Sequence, residues 1–441
     1  MFRTGLANQD RLDGRTIEIS MSFIDLKFGR DSIAFEYDDA MFSVLQTSGQ
    51  IPALSDLEIG ESLDDPIDSP ALEEIVNSDD QVLIVVPDAT RQSGSGQIVN
   101  LLVRRLLSNG TAPTNINIIF ATGIHRAVTA DEINDLLTPF IAQRIKVLHH
   151  NAFDQIKNFN IGETSTGIPV EVNWLLTEYD HIVLVGSVTF HYFAGFTGGR
   201  KLIVPGLASA RTIAATHSLA FDCESMDRRD GVGTALLDGN PVHEAFVECA
   251  EFIKPSFAIS SIVNSSGNVT DIFCGNWKSS HRSACDEYYK RNSIKIAEKR
   301  PLVIASCGGY PFDINMIQAH KALDAASKAC VDGGTIILLA ECADGLGGEN
   351  FLDWFSSTDS AALAQRLCAN YQVNGQTAWS LLRKTENFRV EILTMLPAKV
   401  IEKMRMKRIT DIISEDSKAM VENKAGYIMP SASKIAVELG Q

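Results

Sequence analysis

Short apolar runs alternate with longer amphipathic segments along this chain, and that alternation limits the available folds more than any other feature. VLIVVPD at 82–88, INIIFATG at 116–123 and HIVLVGSVTF at 181–190 have the length and composition of strands. Segments of helical length, near 95–108 and 131–137, lie between them. Strands that alternate with helices are typical of a parallel sheet with helices on both faces. The sequence therefore predicts an α/β fold.

A second stretch with the same alternation begins near residue 278. PLVIASCGG at 301–309 and TIILLAEC at 335–342 are predicted strands. Residues 315–334 are a predicted helix that ends at a pair of glycines. We therefore expect a second α/β unit with its own, largely parallel sheet.

The chain is long for a single core, since domains usually have about 100–200 residues. We expect a first domain over 21–275 that carries the catalytic residues, and a second over 276–414 that closes a cleft against it. The segment 415–441 is free to pack back on the first domain. Residues 1–20 contain charged side chains and lack the apolar region of a secretory signal. We expect them to be a disordered extension, or the true start to be Met21.

Composition excludes several classes of function. The formal net charge is −16 and the isoelectric point is near 5.0, whereas nucleic-acid binders need a basic surface. Apolar runs stay far below the roughly 18 residues that a membrane span needs. The eight cysteines show no C-x-x-C spacing, so we expect reduced thiols in a cytoplasmic protein.

Polar clusters follow the first three predicted strands directly, at Asp88–Arg91, Thr122–Arg126 and Thr189–His191. Ligands of parallel sheets gather at the carboxyl ends of the strands, so these clusters are candidates for one site. Arg91 could bind a substrate carboxylate through two hydrogen bonds. Taken alone, an aspartate three residues before an arginine is equally typical of a helix cap beside a surface arginine.

The segment from 186 to 218 contains a glycine-rich turn, Gly198-Gly199-Arg200-Lys201. Glycine lets backbone N–H groups approach an anion closely. The turn is not a P-loop, because the spaced first glycine and the Ser or Thr after the lysine are missing. A surface turn is the simpler interpretation, but apolar residues on both sides favour burial. A buried lysine has a lowered pKa and can act as a nucleophile.

Two histidines flank this turn, His191 ten residues before Lys201 and His217 sixteen residues after it. Imidazole binds nickel, copper and zinc well, but no histidine or cysteine cluster completes a metal site. A metal here would take most of its ligands from a cofactor. Further along, Gln318 and Lys321 share one face of the predicted helix. They would be functional only if that face lined the cleft.

Because these motifs occur in this order along the chain, the chain resembles the nickel-pincer lactate racemase family over about 21–441. The segments that carry the resemblance are DATR (88–91), ATGIHR (121–126), HYFAGFTGGRK (191–201), the following PG (205–206), THS (216–218), DINMIQAHKAL (313–323), ECADGLGG (341–348) and GQTAW (375–379).

The resemblance implies a covalent cofactor, a pyridinium-3-thioamide-5-thiocarboxylic acid mononucleotide joined to Lys201 through a thioamide. Gly198, Gly199 and Arg200 would border this cofactor. Nickel would be held by two sulfurs, a ring carbon and one histidine, His217. A single protein ligand and a near-square-planar field suit Ni(II).

The same resemblance implies an isomerase, a racemase or epimerase of 2-hydroxy acids that works by reversible hydride transfer through a 2-keto acid. It also implies partner proteins that make the cofactor and insert the nickel. The remaining roles it implies are those of catalytic bases for His125 and His191, of orienting residues for Asp88 and Arg91, and of substrate binding for Arg91, Gln318, Lys321 and Trp379.

One position departs from the family pattern, because Ile317 stands where the lactate racemases carry a tyrosine. The preferred substrate is therefore expected to be a small anionic 2-hydroxy acid other than lactate, or a sugar acid inverted at another carbon. Two alternatives stay open. A nicotinamide-dependent 2-hydroxy acid dehydrogenase would share the chemistry, although no GxGxxG motif joins a strand to a helix. A non-catalytic protein that binds small anions would share the scaffold.

Overall fold

The structure is a computed structural model that describes residues 21–412, apart from 48, 50 and 265, and residues 425–440. The expectation for residues 1–20 lies outside the described residues. The strands, in chain order, are β1 (Met21–Phe28), β2 (Asp31–Asp38), β3 (Phe42–Val44), β4 (Val82–Pro87), β5 (Ile116–Ala121), β6 (Lys146–His149), β7 (Asn158–Glu163), β8 (Pro169–Asn173), β9 (His181–Ser187), β10 (Phe190–His191), β11 (Ala194–Phe196), β12 (Phe221–Asp222), β13 (Asp227–Arg228), β14 (Gly233–Thr234), β15 (Phe257–Val263), β16 (Val269–Gly275), β17 (Ser293–Ile296), β18 (Arg300–Ser306), β19 (Cys330–Leu339), β20 (Arg389–Leu393), β21 (Lys407–Ile409), β22 (Gly426–Met429) and β23 (Ala436–Leu439).

The helices are α1 (Asp56–Asp64), α2 (Leu72–Ile75), α3 (Ser95–Ser108), α4 (Ala130–Leu136), α5 (Pro139–Arg144), α6 (Leu175–Glu178), α7 (Ala210–Ser218), α8 (Pro241–Glu251), α9 (Ser279–Asn292), α10 (Met316–Ala329), α11 (Ser360–Ala369), α12 (Val373–Asn387) and α13 (Ala398–Lys403). Short 3-10 turns lie at Pro113–Asn115, Gly199–Leu202, Phe351–Ser356 and Ala432–Lys434. No helix among the described residues is long and apolar enough to cross a membrane.

The first unit, residues 54–292, is built on a six-stranded sheet in the order β16-β15-β9-β4-β5-β6. All neighbouring strands are parallel except β16, which pairs antiparallel with β15. Side chains of β4 alternate between two cores: Ile84 packs with α3 on one face, and Val85 packs with the segment around α7 and α8 on the other. The predicted helices on both faces of this sheet are confirmed.

The second unit, residues 21–45, 293–412 and 425–440, is built on a six-stranded, fully parallel sheet in the order β21-β20-β19-β18-β22-β3. Val303 on one face of β18 packs among α10 and α12. Leu302 and Ile304 on the other face pack against the β1–β2 hairpin through Leu26 and Phe35. A hairpin therefore covers the face where the sequence led us to expect helices.

The first three strands thus belong to the second unit, whereas the sequence placed them in the first. Strand β3 pairs with β22, and Gly29 after β1 donates a backbone hydrogen bond of 2.6 Å to Asp313. The periodicity of apolar residues could not show to which unit β1, β2 and β3 belong, because the pairing of a strand depends on the tertiary fold. Of the segment 415–441, which the sequence left free to pack on the first unit, the described residues 425–440 contact that unit at several points. Ala436 packs against Val188 and Phe190, and the Tyr288 hydroxyl donates to the Lys434 carbonyl at 2.9 Å.

Two predicted boundaries also move. Helix α9 packs on β15 and β16, so the first unit extends to residue 292 and not to 275. Helix α10 ends at Ala329, before the glycines, because the chain enters β19 at Cys330. A Cβ on Gly334 would lie 2.9 Å from the Pro301 carbonyl oxygen, so that glycine permits close strand packing instead of ending the helix.

An arm of the first unit, the β12–β13 hairpin, inserts into the second unit directly after α7. Phe221 lies in the second unit's core with its ring 4.9 Å from that of Trp379. Cys223 is joined by a disulfide to Cys368 of α11. The prediction that all cysteines are reduced was therefore wrong for this pair. The two lie 145 residues apart in sequence, and only the fold brings them together.

Candidate active site

A cavity of about 990 Å³ lies between the two units. One wall follows the carboxyl ends of β4, β5 and β9, and the other is formed by the start of α10 and by loops that follow β19. Carboxyl ends of parallel strands are where such folds bind ligands. The residues predicted from sequence that line this cavity are Asp88, Arg91, His125, His191, Gly198, Lys201, His217, Gln318 and Lys321.

Asp88 and His125 form a hydrogen-bonded pair at the ends of neighbouring strands. Asp88 Oδ2 lies 2.7 Å from His125 Nδ1, and Asp88 Oδ1 accepts from the Thr90 hydroxyl at 2.6 Å. Burial raises the pKa of Asp88, but His125, Arg91 and Thr90 together lower it well below its ordinary value. The ionised carboxylate accepts a hydrogen bond from His125 Nδ1, which leaves Nε2 as the nitrogen that can act as a base.

His191 lies in β10 and is buried on the same cavity. Its Nδ1 accepts a 3.3 Å hydrogen bond from the Ala194 backbone N–H, which assigns the proton of the neutral ring to Nε2. Burial, followed by Lys201, Lys321 and Arg91, lowers the pKa of His191 well below its ordinary value. The two cavity histidines therefore differ in the nitrogen that is bound: His125 is held through Nδ1 by a carboxylate, and His191 accepts a backbone N–H on Nδ1.

Lys201 lies in the 3-10 turn Gly199–Leu202 and faces the cavity. Its Nζ is 5.6 Å from the ring centroid of Phe193 and 5.5 Å from that of Phe246. Burial and then Arg200 lower the pKa of Lys201 well below its ordinary value. Within the described part of the chain its ammonium group has no carboxylate partner. The amine is thus poised to react in its neutral form.

The neighbours of Lys201 have structural contacts. Arg200 is 1% exposed, points away from the cavity, and donates hydrogen bonds to the carbonyls of Ala194 (2.9 Å) and Phe196 (3.0 Å). Gly199 also lies outside the cavity lining, and a Cβ there would meet the His281 ring at 2.7 Å. Arg200 and Gly199 therefore fix the shape of the turn, and only Gly198 of the three borders the cavity.

His217 lies near the end of α7 and is buried between aromatic rings, 5.2 Å from Phe193 and 5.5 Å from Phe246. Burial and then Lys201 lower the pKa of His217 to about 3. Its buried Nδ1 makes no hydrogen bond of ordinary geometry to any described residue. The ring is therefore neutral and available as a ligand.

Gln318 of α10 connects the two walls. Its side-chain oxygen accepts hydrogen bonds from Arg91 Nη1 at 3.1 Å and from Lys321 Nζ at 2.7 Å. Burial and then Arg91 lower the pKa of Lys321 well below its ordinary value. Asn315, the N-cap of α10, accepts from the Gln318 backbone and fixes the first turn. An anion between these cations would relieve their mutual repulsion.

The tryptophan predicted for the pocket lies elsewhere. Trp379 does not line the cavity and packs on Phe221 and under Arg383. Trp354, in the 3-10 turn Phe351–Ser356, does line it and is 2% exposed. Sequence reasoning missed Trp354, since nothing in its neighbourhood marks a ligand site. Its position depends on how the turn packs against α12.

The chain matches the model of the lactate racemase N-terminal domain over 28–228 and that of the lactate racemase C-terminal domain over 296–437. It is 33% identical over 344 residues to a lactate racemase of Lactiplantibacillus plantarum, covering 77% of this chain and 79% of the relative. This chain belongs to the lactate racemase family. It is accordingly an isomerase of the racemase type.

Other members of the family, and solved structures, agree with this assignment. A lactate racemase of Thermoanaerobacterium thermosaccharolyticum is 30% identical over 342 residues, again 77% of this chain and 79% of the relative. The lactate racemase apoprotein structure from that organism covers 95% of this chain and all of its own, with a TM-score of 0.84 and 26% identity. A Thermotoga maritima protein shares the fold, covering 88% of this chain and 99% of its own at a TM-score of 0.70 and 18% identity.

Within the described ranges no three His, Cys, Asp or Glu side chains are grouped so that they could hold a metal ion. A metal ion in this cavity would therefore need most of its ligands from a cofactor. His217, whose buried Nδ1 lacks a well-formed hydrogen bond, and Lys201, whose Nζ forms no ion pair with a described carboxylate, both line the cavity and could hold such a group.

Proposed function

We propose that this racemase interconverts the enantiomers of a small anionic 2-hydroxy acid by reversible hydride transfer, with a nickel-pincer nucleotide as cofactor. The observation that carries the proposal is the presence of His125, His191 and unpaired Lys201 around one cavity. Hydride transfer requires one group that takes the hydroxyl proton from one enantiomer and another that returns a proton to the oxygen of the other enantiomer, which two histidines in one site can do. The name of the curated relatives, lactate racemase, supports the same reaction.

The residues present fit the proposed cofactor. Lys201 would hold it through a thioamide, since its amine is buried, has a lowered pKa and lacks an anionic partner among the described residues. His217 would supply the protein ligand to nickel, because its Nδ1 is buried without a well-formed hydrogen bond. Gly198, with φ of 77°, would bring the backbone against the bound group.

When bound, the nickel-pincer nucleotide would accept the hydride from C2 of the substrate and return it. His125 takes the hydroxyl proton through Nε2, and Asp88 stabilises the imidazolium that forms. Loss of the hydride and the proton leaves a planar 2-keto acid. After this acid turns its other face, the product oxygen takes a proton from the imidazolium form of His191, which returns to the neutral ring, and the opposite enantiomer results. The second histidine must recover its proton before the next turnover.

The substrate carboxylate is assigned to the two cations that now share the Gln318 oxygen, Arg91 and Lys321. Arg91 belongs to the first unit and Lys321 to the second, so the carboxylate would hold the cleft closed. Closure excludes water from the reacting centre.

The proposed cofactor must be loaded onto the protein before it is active. A nucleotide joined to Lys201 and a nickel ion on His217 must be supplied by other proteins, so we propose cofactor-biosynthesis and nickel-insertion proteins as transient partners. Both would act before the cleft receives substrate.

The test is racemisation of a single-enantiomer 2-hydroxy acid in D2O, using protein matured with the cofactor pathway. Hydride transfer keeps the C2 hydrogen, so both enantiomers should lack deuterium at C2. Deuterium at C2 would mean removal of a proton from carbon and would refute the mechanism. A requirement for added nicotinamide cofactor would favour the dehydrogenase alternative.

A further inference from the structure

The carboxylate site fixes where the rest of a substrate must lie. Ile317 and Lys321 are separated by one turn of α10 and so lie on the same face, about 5–6 Å apart. Both line the cavity. A 2-hydroxy acid held at Lys321 therefore has its C2 substituent within reach of Ile317.

Ile317 is part of an apolar wall. Its backbone N–H donates to the Leu346 carbonyl at 3.3 Å, and its Cδ1 would lie 3.6 Å from a Cβ on Gly348. Leu346 and Trp354 also line the cavity, and all three residues belong to one hydrophobic cluster of the second unit. The three side chains Ile317, Leu346 and Trp354 are called the apolar wall below.

Trp354 cannot move far from this wall. A Cβ on Gly375 of α12 would lie 2.7 Å from the Trp354 ring, which shows that the ring rests directly on the helix backbone. Arg366 covers the ring, with its guanidinium carbon 4.2 Å from the ring centroid. Because Trp354 is packed between the backbone of α12 and Arg366, the apolar wall keeps its shape. It can therefore discriminate between C2 substituents of different size.

The charges around the cavity argue against a second carboxylate. The lysines and arginines that line it are Arg91, Arg126, Lys201 and Lys321. Arg126 is paired with Glu132 at 2.6 Å and with Asp344 at 3.0 Å, so it is neutralised. Besides Lys321, the ionisable residues that the second unit contributes to the lining are Asp344 and Glu349, both acidic. A carboxylate in the substituent would face Glu349, and Arg126 could not offset this repulsion because two carboxylates already share its charge.

We propose that the preferred substrate is a monocarboxylic 2-hydroxy acid whose C2 substituent is apolar and larger than methyl, and that the apolar wall sets this preference. The inference rests on the proposed function, since it names the substrate class of that site. Apolar area removed from water would supply the binding energy that distinguishes such an acid from lactate.

The turnover test uses the matured enzyme and single enantiomers of lactate, 2-hydroxy-4-methylpentanoate, 3-phenyllactate and malate, followed by chiral chromatography. We expect kcat/KM for one of the two apolar acids to exceed that for lactate about tenfold or more, with malate lowest. Ile317→Asn, which replaces the branched alkyl group with a smaller and polar amide, should reduce this preference about tenfold. Lactate or malate in first place would overturn the inference.

Trp354→Phe should also change the ranking, because it shortens the wall while keeping an aromatic ring. Trp277→Phe is the matched control: Trp277 is buried, lies in the first unit and does not line the cavity. The control should keep the ranking of the unaltered enzyme. If both variants shift the ranking equally, or neither does, Trp354 does not select the substrate.

Isothermal titration of the same acids into the full chain purified without cofactor separates this inference from the proposed function. Tighter binding of the apolar acids without any racemisation by matured enzyme would refute the proposed function and leave the wall's preference supported. Equal or weaker binding of the apolar acids, together with racemisation that favours lactate, would refute the preference alone.

Discussion

Arg91 of the first unit donates a 3.1 Å hydrogen bond to the side-chain oxygen of Gln318 in the second unit. Lys321 donates to the same oxygen at 2.7 Å. An amide oxygen is a weaker acceptor than a carboxylate, so a substrate carboxylate can replace it between the two cations. Without substrate, the Gln318 oxygen joins the two walls of the cleft. With substrate, the carboxylate would join them through stronger hydrogen bonds to Arg91 and Lys321.

Arg91→Lys is expected to lower kcat/KM about 10- to 100-fold, because lysine keeps the charge but loses the planar pair of donors. Racemisation rates by chiral chromatography measure the effect. Arg104→Lys, at an exposed arginine of α3, is the control and should leave the rate unchanged. An unaltered kcat/KM in Arg91→Lys would remove Arg91 from the carboxylate site.

Protein matured with the cofactor pathway is expected to carry an added mass on the peptide that contains Lys201. Lys201→Ala should lose both the adduct and the activity. Lys201→Arg should not restore either, because a guanidinium group cannot form the thioamide. Intact-mass and peptide-mass measurements follow the adduct. An unmodified Lys201 peptide from active, nickel-loaded enzyme would contradict covalent attachment.

His217→Ala is expected to keep the organic adduct on Lys201 while nickel occupancy falls. The reason is that His217 is the proposed sole protein ligand, and the described residues offer no cluster that could replace it. Metal analysis after gel filtration and peptide mass spectrometry measure the two effects separately. Full nickel occupancy in this variant would show that another group binds the metal.

Stability is expected to fall as the pH drops from about 6.5 towards 4. Several buried histidines have lowered pKa values in the folded chain, about 4 for His150 and about 3 for His217 and His243, through burial above all. The unfolded chain binds more protons in this range, because its histidines titrate near 6.5, so the free energy of unfolding decreases with falling pH.

Urea titrations at about pH 7.5 and about pH 5 should therefore give a lower midpoint at the acidic pH. His150→Gln should reduce this difference without removing it. His150 lies outside the cavity and bonds the Ala208 carbonyl at 3.1 Å. Equal midpoints at the two pH values would show that the histidines titrate normally in the folded chain.

Oxidised protein digested without reductant should yield one peptide pair joined through Cys223 and Cys368. Reduction should lower the free energy of unfolding by about 2–4 kcal/mol, since the bond closes a long loop in the unfolded chain. Cys223→Ser should remove the effect of reductant, while Cys249→Ser, at a buried free thiol, should retain it. A melting temperature that does not change with reductant would contradict a disulfide bond between Cys223 and Cys368 in the native protein.

Local patterns were enough for much of the fold. Strands β4, β5 and β9 were predicted because each is a short apolar run that ends at a polar cluster. Asp88, His125 and His191 could be expected to lie near one another, because the carboxyl ends of parallel strands meet at one edge of the sheet. The predicted α/β class with two largely parallel sheets is confirmed.

What local patterns could not supply is the direction in which a buried side chain points. Arg200 and Lys201 are neighbours in one turn, yet one binds backbone carbonyls behind the turn and the other faces the cavity. Trp354 and Trp379 lie in the same core, but Trp354, in a turn that packs on α12, lines the cavity, whereas Trp379, in α12 itself, packs on Phe221 away from it. Sequence spacing carries no information on either choice.

The pairing of β3 with β22 means that the first unit is an insertion between two pieces of the second. During synthesis the ribosome completes residues 54–292 before it makes β22, so the inserted unit can fold while the sheet around it still lacks strands. The turn around Lys201 would then be formed before the opposite wall of the cleft exists. Early folding of the inserted unit would give a modifying protein its widest access to that lysine while the chain is still growing.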